Sequence, residues 1–576
     1  MFLFIAIMKK EILPQTLTIK NLLKTDALYE IPKYQRNYSW KKEEIDDFWE
    51  DLNDEKNSES NFLGVMVFNK KNEDKFEIID GQQRLLTITI FLAVIRDLFR
   101  KLNEEIIANR IQDYISFQDD DGEPRGFRVL PSKNIKKFFE NFIQNDKDSK
   151  IEAINDSEKL IKKNYNYLKK TIEEYFSERA QKNKIVFLKK LRDKLLNSQI
   201  VEIIVQDYDD AYSFFESLNG RGLALSTSDL LKNLLFRKIS EDVNNFSEDF
   251  LENQWNIVDD NIGTERINNF IRIYWHSKYG KVADNKLYSA IKNEKKTVRD
   301  YRGLVDELVR NSEYYKKIIQ PEKESWKITD PENIQKHIKN IKSFGVKQPY
   351  SLILSLIRKM ELKNFDKDFK IKEFWEVFLW IENFTFAFNL SDKRPSILEG
   401  IYSQYAQKID KAKNKSEFKS VLQSFKDRIC EEFPGEDDFK KNFINLSYKT
   451  NKIGYMKFIL SKINYKTENE LGIKGSVNIE HILPQNPDKC WKLEIKEINN
   501  YVNNVGNLTL LGKEYNKKAS NKCLKEKKEM YEKSELKITK ELLEELAGNN
   551  YLWNESLIEK RAQRLANIAW EHVQIN

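Results

Sequence analysis

The sequence predicts a predominantly helical α+β protein with a small sheet near its N-terminus and a second group of strands near its C-terminus. Two short strand patterns, at 61–68 and 75–80, flank a polar turn and lead into a long apolar helix at about 82–102. Beyond Asn134, Phe, Leu, Ile and Tyr recur three and four residues apart among Lys and Glu, as in amphipathic helices. A new pattern of strand, loop, strand and helix precedes the C-terminus.

The domain organisation follows from breaks in these patterns. The apolar segment QIVEIIVQ at 199–206 interrupts the helical region, and we expect it to join the N-terminal sheet as a strand. From 244 to 430 the sequence is helical, with few Gly or Pro residues and no motif that indicates chemistry, so we interpret it as a spacer or clamp. The segment PGEDDF at 434–439 indicates a boundary. We therefore predict three domains: 8–243, with a small α/β part to about residue 105 and helices after it, 244–433, and 434–576.

Composition excludes several classes of protein. Of the 576 residues, 40% are hydrophobic, which is enough for several domain cores and excludes disorder throughout the chain. Lys and Arg number 98 against 91 Asp and Glu, a net charge of +7. This excess is too small over such a length for a histone-like coat of positive charge, so any nucleic-acid-binding surface must be local.

The cysteines and the N-terminus bear on the location of the protein. Cys430, Cys490 and Cys523 stand far apart in the sequence and form no CxxC pair. We therefore expect neither a disulfide framework nor a cysteine-based zinc site, and a reducing cytoplasm as the location. The apolar residues 1–7 are fewer than the ~20 that a membrane-spanning helix needs and lack a preceding basic region, so we do not predict a targeting signal. They are either an extension ahead of Met8 or an edge strand.

The strongest chemical signal lies near the C-terminus, in VNIEHILPQ at 477–485 and VGNLTLLGKEYNKKASNK at 505–522. Hydrolysis of a phosphodiester near neutral pH needs a base for water, a cation to hold the phosphate and stabilise the leaving oxygen, and a scaffold that fixes both. Glu480 and His481 are adjacent at the end of a short strand, so their side chains leave it in different directions. We therefore expect Glu480 to hold a metal while His481 addresses a water.

Two asparagines complete this set. Asn507 lies beside Gly506 at the start of the second strand, where its amide can tie the loop that carries His481 to the backbone. Asn516 follows near the start of a helix, where its carbonyl oxygen can supply a second metal ligand. Oxygen ligands suit a hard cation, so the sequence predicts Mg²⁺ or Mn²⁺.

The order of these elements resembles that of the HNH (His-Me finger) nucleases. In that order, an acidic residue and His lie on one strand, an Asn-Leu strand follows, and a second Asn lies at the head of a helix. The resemblance implies that His481 is the general base, Asn507 the structural anchor, and Glu480 with Asn516 the metal pair. The sequence departs from the family pattern in having Glu where Asp is commoner, and in lacking the cysteine pairs that bind zinc in many members. The alternative is that His481 and Glu480 form a satisfied structural pair.

A lysine-rich stretch adjoins this motif. Residues 511–540 contain ten lysines and five glutamates. Such a run is often only a solvated face, but next to a phosphate site it favours DNA through the release of counterions. The residues expected to contact the DNA backbone are Lys517, Lys518 and Lys522.

Two N-terminal segments favour the binding of an anion. The first, IPKYQRNYSW at 31–40, is extended and places polar and aromatic groups close together. In the second, EIIDGQQRLLTITIFL at 77–92, a strand turns into a helix whose first N–H groups attract phosphate. Asp80 either caps this helix or holds a metal that bridges to a phosphate. The candidate binding residues are Tyr34, Gln35, Arg36, Asp80, Gly81, Gln82, Gln83 and Arg84.

A third segment, FFESLNGRGLALSTSDLLKN at 214–233, places Gly220 and Gly222 around an arginine ahead of a Ser/Thr-rich helix start. Glycines let a ligand approach the backbone closely, and neighbouring donors can hold it. Taken singly, the NGRG motif at 219–222 and the DGQQR motif at 80–84 can each also be explained by a tight turn followed by a helix cap. The further candidates are Asn219, Arg221, Gly222, Asp229 and Lys232.

These three segments, in this order, resemble the N-terminal domain of the GmrSD modification-dependent (type IV) restriction endonucleases. That family pairs the domain with a C-terminal HNH module of the same EHILPQ and GNLTLL form. The resemblance covers 17–236 and 477–531. It implies a ParB/sulfiredoxin-like N-terminal fold that binds or hydrolyses a nucleoside triphosphate at the candidate residues, and a ββα-metal fold for the nuclease module. The sequence contains no Walker-type loop, so hydrolysis is implied by the resemblance alone.

We therefore predict an anti-phage defence endonuclease that cuts modified double-stranded DNA with Mg²⁺ or Mn²⁺ and is regulated by GTP, UTP, CTP or ATP. No membrane partner is expected, and a homodimer is plausible because a one-metal site makes one cut at a time. The alternative is a nucleotide-gated nucleic-acid-binding protein, or a toxin, whose HNH module is inactive or acts on RNA. A purely structural helical scaffold would explain the middle of the chain but not the ordered motifs at both ends.

Overall fold

The structure is a computed structural model that describes residues 14–575, apart from 33, 34, 36, 54–60, 119–123, 146–150, 177–179, 206–226, 241–247, 264–266, 323, 325, 327–330, 362–370, 465–476, 492 and 494–497. The chain forms two compact units. The first comprises Met1–Glu252 and Tyr288–Tyr301, and the second Asn253–Leu287 and Arg302–Asn576. The prediction of three domains, with boundaries at 243 and 433, stays a prediction.

A six-stranded mixed sheet organises the first unit. Its order is β1-β8-β3-β4-β2-β7, with antiparallel β1–β8 and β3–β4 pairs and parallel β8–β3, β4–β2 and β2–β7 pairs. A separate two-stranded sheet pairs β5 with β6. The strands are β1 (Gln15–Thr18), β2 (Leu28–Glu30), β3 (Phe62–Lys70), β4 (Lys75–Asp80), β5 (Ser116–Gln118), β6 (Pro124–Phe127), β7 (Val129–Leu130) and β8 (Gln199–Val205).

The two predicted strands on either side of the polar turn and the long helix after them are confirmed. Strands β3 and β4 pair across the polar turn, and helix α3 (Gln82–Lys101) follows directly. Apolar residues surround this helix, so most of its length is buried at the centre of the main core of the unit. The predicted strand at 199–206 is also confirmed, since β8 lies between β1 and β3.

The remaining helices of the first unit include several that pack on α3 or on one another. Their buried positions recur three and four residues apart, as in Ile161, Tyr165, Leu168 and Ile172. They are α1 (Ile19–Lys24), α2 (Lys42–Asn53), α4 (Glu105–Gln112), α5 (Lys133–Phe139), α6 (Asp156–Phe176), α7 (Gln181–Asn197), α8 (Thr227–Ser240) and, in the later segment, α11 (Leu287–Glu294). One boundary between the units falls within helix α9 (Glu248–Ile262), and another falls within the helix Val298–Ile319.

The second unit is helical except for one two-stranded sheet in its described residues. Its first helices are those predicted for the middle of the chain, and each of them buries apolar side chains. They are α10 (Ile267–Lys278), α12 (Val298–Ile319), α13 (Glu332–Ser343), α14 (Tyr350–Met360), α15 (Ile371–Asn389), α16 (Pro395–Lys411), α17 (Lys415–Glu431), α18 (Glu436–Phe443) and α19 (Ile453–Asn464).

The C-terminal part of this unit carries the strand and helix pattern predicted there. Strands β9 (Val477–His481) and β10 (Leu508–Gly512) pair antiparallel, and a short helix follows β10 at once. A core of its own includes Ile482, Leu483, Leu511 and Tyr531. The helices are α20 (Lys513–Ala519), α21 (Leu524–Glu532), α22 (Lys537–Gly548) and α23 (Glu555–His572).

The observed architecture agrees with the predicted fold class. The described residues are predominantly helical, and the strands are confined to the small sheets described above. Among the described residues, none of the helices has both the length and the apolar character needed to cross a membrane.

Candidate functional site

The pairing of β9 with β10 positions the C-terminal motif. Glu480 lies opposite Thr509 and His481 opposite Leu508. Because successive side chains of a strand point to opposite faces, Glu480 and His481 leave β9 on different sides, as the sequence indicated. The helix after β10 carries Asn516 back toward β9.

The Glu480 carboxylate is buried and fully engaged by neighbouring side chains. Its Oε1 accepts hydrogen bonds from Lys527 Nζ at 2.7 Å and from the Tyr531 hydroxyl at 3.0 Å. Its Oε2 accepts one from Asn516 Nδ2 at 2.7 Å. Burial raises the pKa of Glu480 above its ordinary value, although the Lys527 ammonium opposes this shift. The structure thus brings the two predicted metal ligands into direct contact.

The chemistry of this pair fits a hard divalent cation. Two adjacent ligands of an octahedral Mg²⁺, each about 2.1 Å from the ion, lie about 3 Å apart. The separation between Glu480 Oε2 and the Asn516 amide, 2.7 Å, is close to that value. Rotation of the planar amide about its last side-chain bond exchanges its nitrogen and oxygen, which would present Oδ1 at the same place. The residues present can therefore hold such an ion between them.

His481 makes its contacts elsewhere. Its Nε2 lies 3.2 Å from Asn503 Oδ1, which also accepts a hydrogen bond from Gln485 Nε2 at 2.7 Å. The Tyr448 ring packs edge-on against the imidazole, with the ring centres 4.9 Å apart. Burial lowers the pKa of His481 to about 4, an effect that the hydrogen bond to Asn503 opposes. The imidazole is therefore neutral near pH 7.

Asn507 ties the loop after His481 to its surroundings. Its Oδ1 accepts from Leu483 N and from Trp553 Nε1, both at 2.9 Å. Its Nδ2 donates to Leu483 O at 2.8 Å and to Val502 O at 2.7 Å. The side chain is fully buried, so these four bonds replace water completely. A residue larger than glycine at position 506 would collide with the backbone of Ile558, which explains the glycine before Asn507.

The three lysines predicted to contact DNA are all exposed. Lys517 and Lys518 follow Asn516 directly on α20, and Lys522 precedes α21. Lys517 and Lys518 therefore present positive charge to solvent within one turn of Asn516, and Lys522 does so just beyond the end of α20.

In the N-terminal domain the structure brings the first two predicted segments together. Gln35 Nε2 donates to Ile78 O and Ile79 O, both at 2.9 Å. Gln83 Oε1 accepts from Ser39 N at 2.8 Å, and Gln83 Nε2 donates to Asn37 O at 3.1 Å. Both amides brace one segment against the other in this structure. Their predicted role in nucleotide binding stays a prediction.

In the turn between β4 and α3, the backbone at Gly81 lies close to the Met66 side chain. Gly81 has a φ of +96°, in the left-handed region, and a Cβ there would lie 2.8 Å from Met66 Cγ. Arg84 donates to Val65 O at 2.9 Å. Burial lowers the pKa of Arg84, and the Asp80 carboxylate opposes this shift. Asp80, Gly81 and Arg84 are half-buried at the start of α3, whereas Gln82 is buried.

Much of the third segment lies outside the described residues. This holds for Asn219, Arg221 and Gly222, as it does for Tyr34 and Arg36 of the first segment. Asp229 lies in α8, but its side chain is outside the described part, and Lys232 is buried in the same helix. The structure therefore does not relate this segment to the DGQQR turn.

Comparison with protein families gives matches to both ends of the chain. Residues 19–236 match the model of the GmrSD restriction endonuclease, N-terminal domain, and residues 433–568 match that of the GmrSD restriction endonucleases, C-terminal domain. The chain belongs to the GmrSD restriction endonuclease family. A search of curated proteins found no match.

As a GmrSD restriction endonuclease, the chain is a nuclease that acts on DNA. The N-terminal match contains the DGQQR turn, and the C-terminal match contains the Glu480–Asn516 pair, His481 and Asn507. Residues 237–432 lie between the two matches and include most of the predicted clamp.

Several residues of this GmrSD site were missed in the sequence. Lys527 and Tyr531 lie four residues apart on one face of α21 and both bind Glu480. The sequence did indicate that Lys527 is buried, because Lys527 follows Leu524 by three residues and so lies on the apolar face of an amphipathic helix. Asn503 and Tyr448, which contact His481, lie in irregular segments and had no comparable signal.

The prediction that the cysteines form no disulfide is wrong for one pair. Cys490 and Cys523 are disulfide-bonded, with their Cα atoms 6.0 Å apart. Distance along the sequence was misleading, because the segment after β9 folds back onto the start of α21. Trp491 Nε1 donates to Lys522 O at 3.1 Å beside the bond. Cys430 is an exposed free thiol.

Removal of this disulfide is expected to destabilise the C-terminal part of the GmrSD nuclease. Closing a loop across 33 residues restricts the unfolded chain, and its loss should lower the free energy of unfolding by about 3–4 kcal/mol. Urea unfolding of Cys490→Ser and Cys523→Ser should show the same decrease, and Cys430→Ser should show none. Alkylation of three thiols in the unreduced, denatured protein would contradict the bond.

Proposed function

We propose that this GmrSD endonuclease hydrolyses DNA at a one-metal HNH site formed by Glu480, His481, Asn507 and Asn516. The observation that carries the proposal is the 2.7 Å contact between Glu480 Oε2 and the Asn516 amide. There the carboxylate and the amide of two separate elements meet, beside a strand end whose loop Asn507 fixes, and the oxygen of each group can bind a cation. Such a donor set is typical of sites for Mg²⁺ or Mn²⁺.

His481 is the proposed general base. Its Nε2 faces Asn503 Oδ1, an acceptor, so the neutral imidazole donates from Nε2 and keeps a lone pair on Nδ1. Nδ1 is then the atom that takes a proton from the attacking water. The Tyr448 ring limits the rotation of the imidazole. Asn503 is held in turn by Gln485, so the tautomer is set by a short chain of hydrogen bonds.

Glu480 and Asn516 are the proposed metal ligands. When bound, a divalent cation supplies a Lewis acid that holds the scissile phosphate and stabilises the leaving oxygen. The exposed Lys517, Lys518 and Lys522 contact neighbouring phosphates of the DNA backbone. These contacts carry no sequence information, which suits an enzyme that selects its target by other means.

The N-terminal domain is proposed to bind a nucleoside triphosphate and to make cutting depend on modified phage DNA. The half-buried Asp80, Gly81 and Arg84 lie at the start of a 20-residue helix, where backbone N–H groups attract phosphate. GTP, UTP, CTP and ATP remain equal candidates. Two copies of the chain would cut both strands of a duplex.

A digestion series tests the proposal. The purified chain is incubated with unmodified, methylated, glucosylated and phosphorothioated DNA and with RNA, with and without each triphosphate, in Mg²⁺, Mn²⁺ or EDTA. We expect cutting of one class of modified DNA, dependence on the metal, and loss of cutting in Glu480→Ala and Asn516→Ala. Cleavage in EDTA would contradict the metal site, and cleavage of RNA alone would favour a toxin.

Substitution of Asp80 or Arg84 is expected to weaken the nucleotide-dependent step. If these residues hold a nucleotide or its metal, Asp80→Ala and Arg84→Ala should lower nucleotide turnover by about 10- to 100-fold. Modification-dependent cutting should fall in parallel. Asp74→Ala is the matched control, because Asp74 is exposed in the turn before β4. Unchanged turnover in both variants would remove the assignment.

A further inference from the structure

Helix α21 supplies two donors to one oxygen of the Glu480 carboxylate. The Lys527 side chain is 0% exposed, and its Nζ lies 2.7 Å from both Glu480 Oε1 and the backbone oxygen of His481. The Tyr531 hydroxyl, one helical turn later on the same face, lies 3.0 Å from the same Oε1. Lys527 therefore connects the side chain of Glu480 to the backbone of His481.

These contacts divide the carboxylate into an anchored oxygen and a presented oxygen. Oε1 is occupied by an ammonium and a hydroxyl, whereas Oε2 faces the Asn516 amide. A glutamate side chain has three rotatable bonds, and a free one would sample many positions at a cost in entropy on binding. Anchoring Oε1 fixes these bonds and leaves Oε2 as the atom directed at Asn516.

We propose that Lys527 and Tyr531 are positioning residues that hold Glu480 in the geometry that binds the divalent cation. This inference rests on the proposed metal site and specifies how the fold maintains it. It extends the site to α21, because the anchoring groups come from a different helix than Asn516. Hydrogen bonds that orient a ligating carboxylate usually change metal affinity by about 10- to 100-fold when they are removed.

The competing explanation is that Lys527 and Glu480 are a buried ion pair that only supports the fold. Loss of one partner of such a pair destabilises a protein under either explanation. The two explanations differ in metal binding. A positioning role predicts weaker binding in protein that is still folded, whereas a structural role predicts unchanged affinity in the folded fraction.

The test measures Mn²⁺ binding to the full chain by electron paramagnetic resonance. The Glu480→Ala variant measures how much Mn²⁺ binds to the protein outside the proposed site. Lys527→Met removes the ammonium at similar volume, and Tyr531→Phe removes one hydroxyl with the least disturbance of the core. Lys525→Met is the matched control, because Lys525 is exposed on the same helix. Circular dichroism and thermal unfolding establish the folded fraction of each variant.

We expect the Glu480-dependent Mn²⁺ affinity to fall by about 10- to 100-fold in Lys527→Met and several-fold in Tyr531→Phe, with Lys525→Met unchanged. DNA cleavage by Tyr531→Phe should recover at saturating Mn²⁺, since the defect lies in binding the ion. Wild-type affinity in folded Tyr531→Phe and Lys527→Met, or the absence of any Glu480-dependent binding, would overturn the inference. Glu480-dependent Mn²⁺ binding without any DNA cleavage by the wild type would instead contradict the proposed function.

Discussion

Replacement of His481 by alanine is expected to lower the rate of DNA cleavage by about 10²- to 10⁴-fold, the usual contribution of a general base. The neutral imidazole is held by Asn503 and Tyr448, and alanine has no side-chain nitrogen to take the proton that Nδ1 would accept. The fold should survive, because the ring is only part-buried and makes one side-chain hydrogen bond. The measurement is single-turnover cleavage of the DNA class identified in the digestion series.

The control for this experiment is His572→Ala. His572 lies at the end of α23 and contacts the backbone oxygen of Lys462, outside the proposed site. Cleavage by this variant should match that of the wild type. Nucleotide binding should be intact in both variants, and its loss together with cleavage in His481→Ala would show that the two sites are not separable. Full cleavage by His481→Ala would exclude His481 as the base.

Replacement of Asn507 by alanine is expected to lower the free energy of unfolding of the second unit by about 3–5 kcal/mol. Four buried hydrogen bonds disappear, and each buried group left without a partner costs about 1–3 kcal/mol. Leu483 N and Trp553 Nε1 lose their acceptor, so the loop after His481 should also loosen. Urea unfolding measures the stability, and cleavage well below the midpoint measures the site.

Asn500→Ala is the matched control, because Asn500 is exposed in the segment that precedes β10. It should change the stability by less than about 0.5 kcal/mol. A similarly small effect of Asn507→Ala would contradict the bracing role. Asn507→Asp would separate the two halves of the amide, since it retains the acceptor for Leu483 and Trp553 but loses both donors.

The local features of the fold were predictable because they depend on residues close in sequence. The hairpin of β3 and β4, the turn at Gly81 and the start of α3 follow from strand periodicity and turn chemistry over about twenty residues. The strand at β8 was recognisable from its apolar run, and it was expected to join the N-terminal sheet because isolated strands are not stable. The number of strands in the first sheet and their order could be determined only from the structure.

The candidate site was predictable only where the chemistry dictates the residue type. The proposed metal ligands Glu480 and Asn516 stand out because few other groups bind a hard cation, and the structure places the two side chains in contact. Asn503 and Tyr448 support His481 through contacts that many residue types could make, so the sequence held no sign of them. The cysteine pair was misjudged because separation along the chain says little about separation in space.

The position of β8 in the first sheet governs when that sheet can form during synthesis. Strand β8 lies between β1 and β3, yet it is translated more than a hundred residues after both. A nascent chain that ends before Gln199 therefore has unpaired edges on β1 and β3, the kind of surface that recruits other strands. The pairings of β8 are non-local contacts of the kind that slow folding, and the complete six-stranded sheet forms only after residues 199–205 have been synthesised.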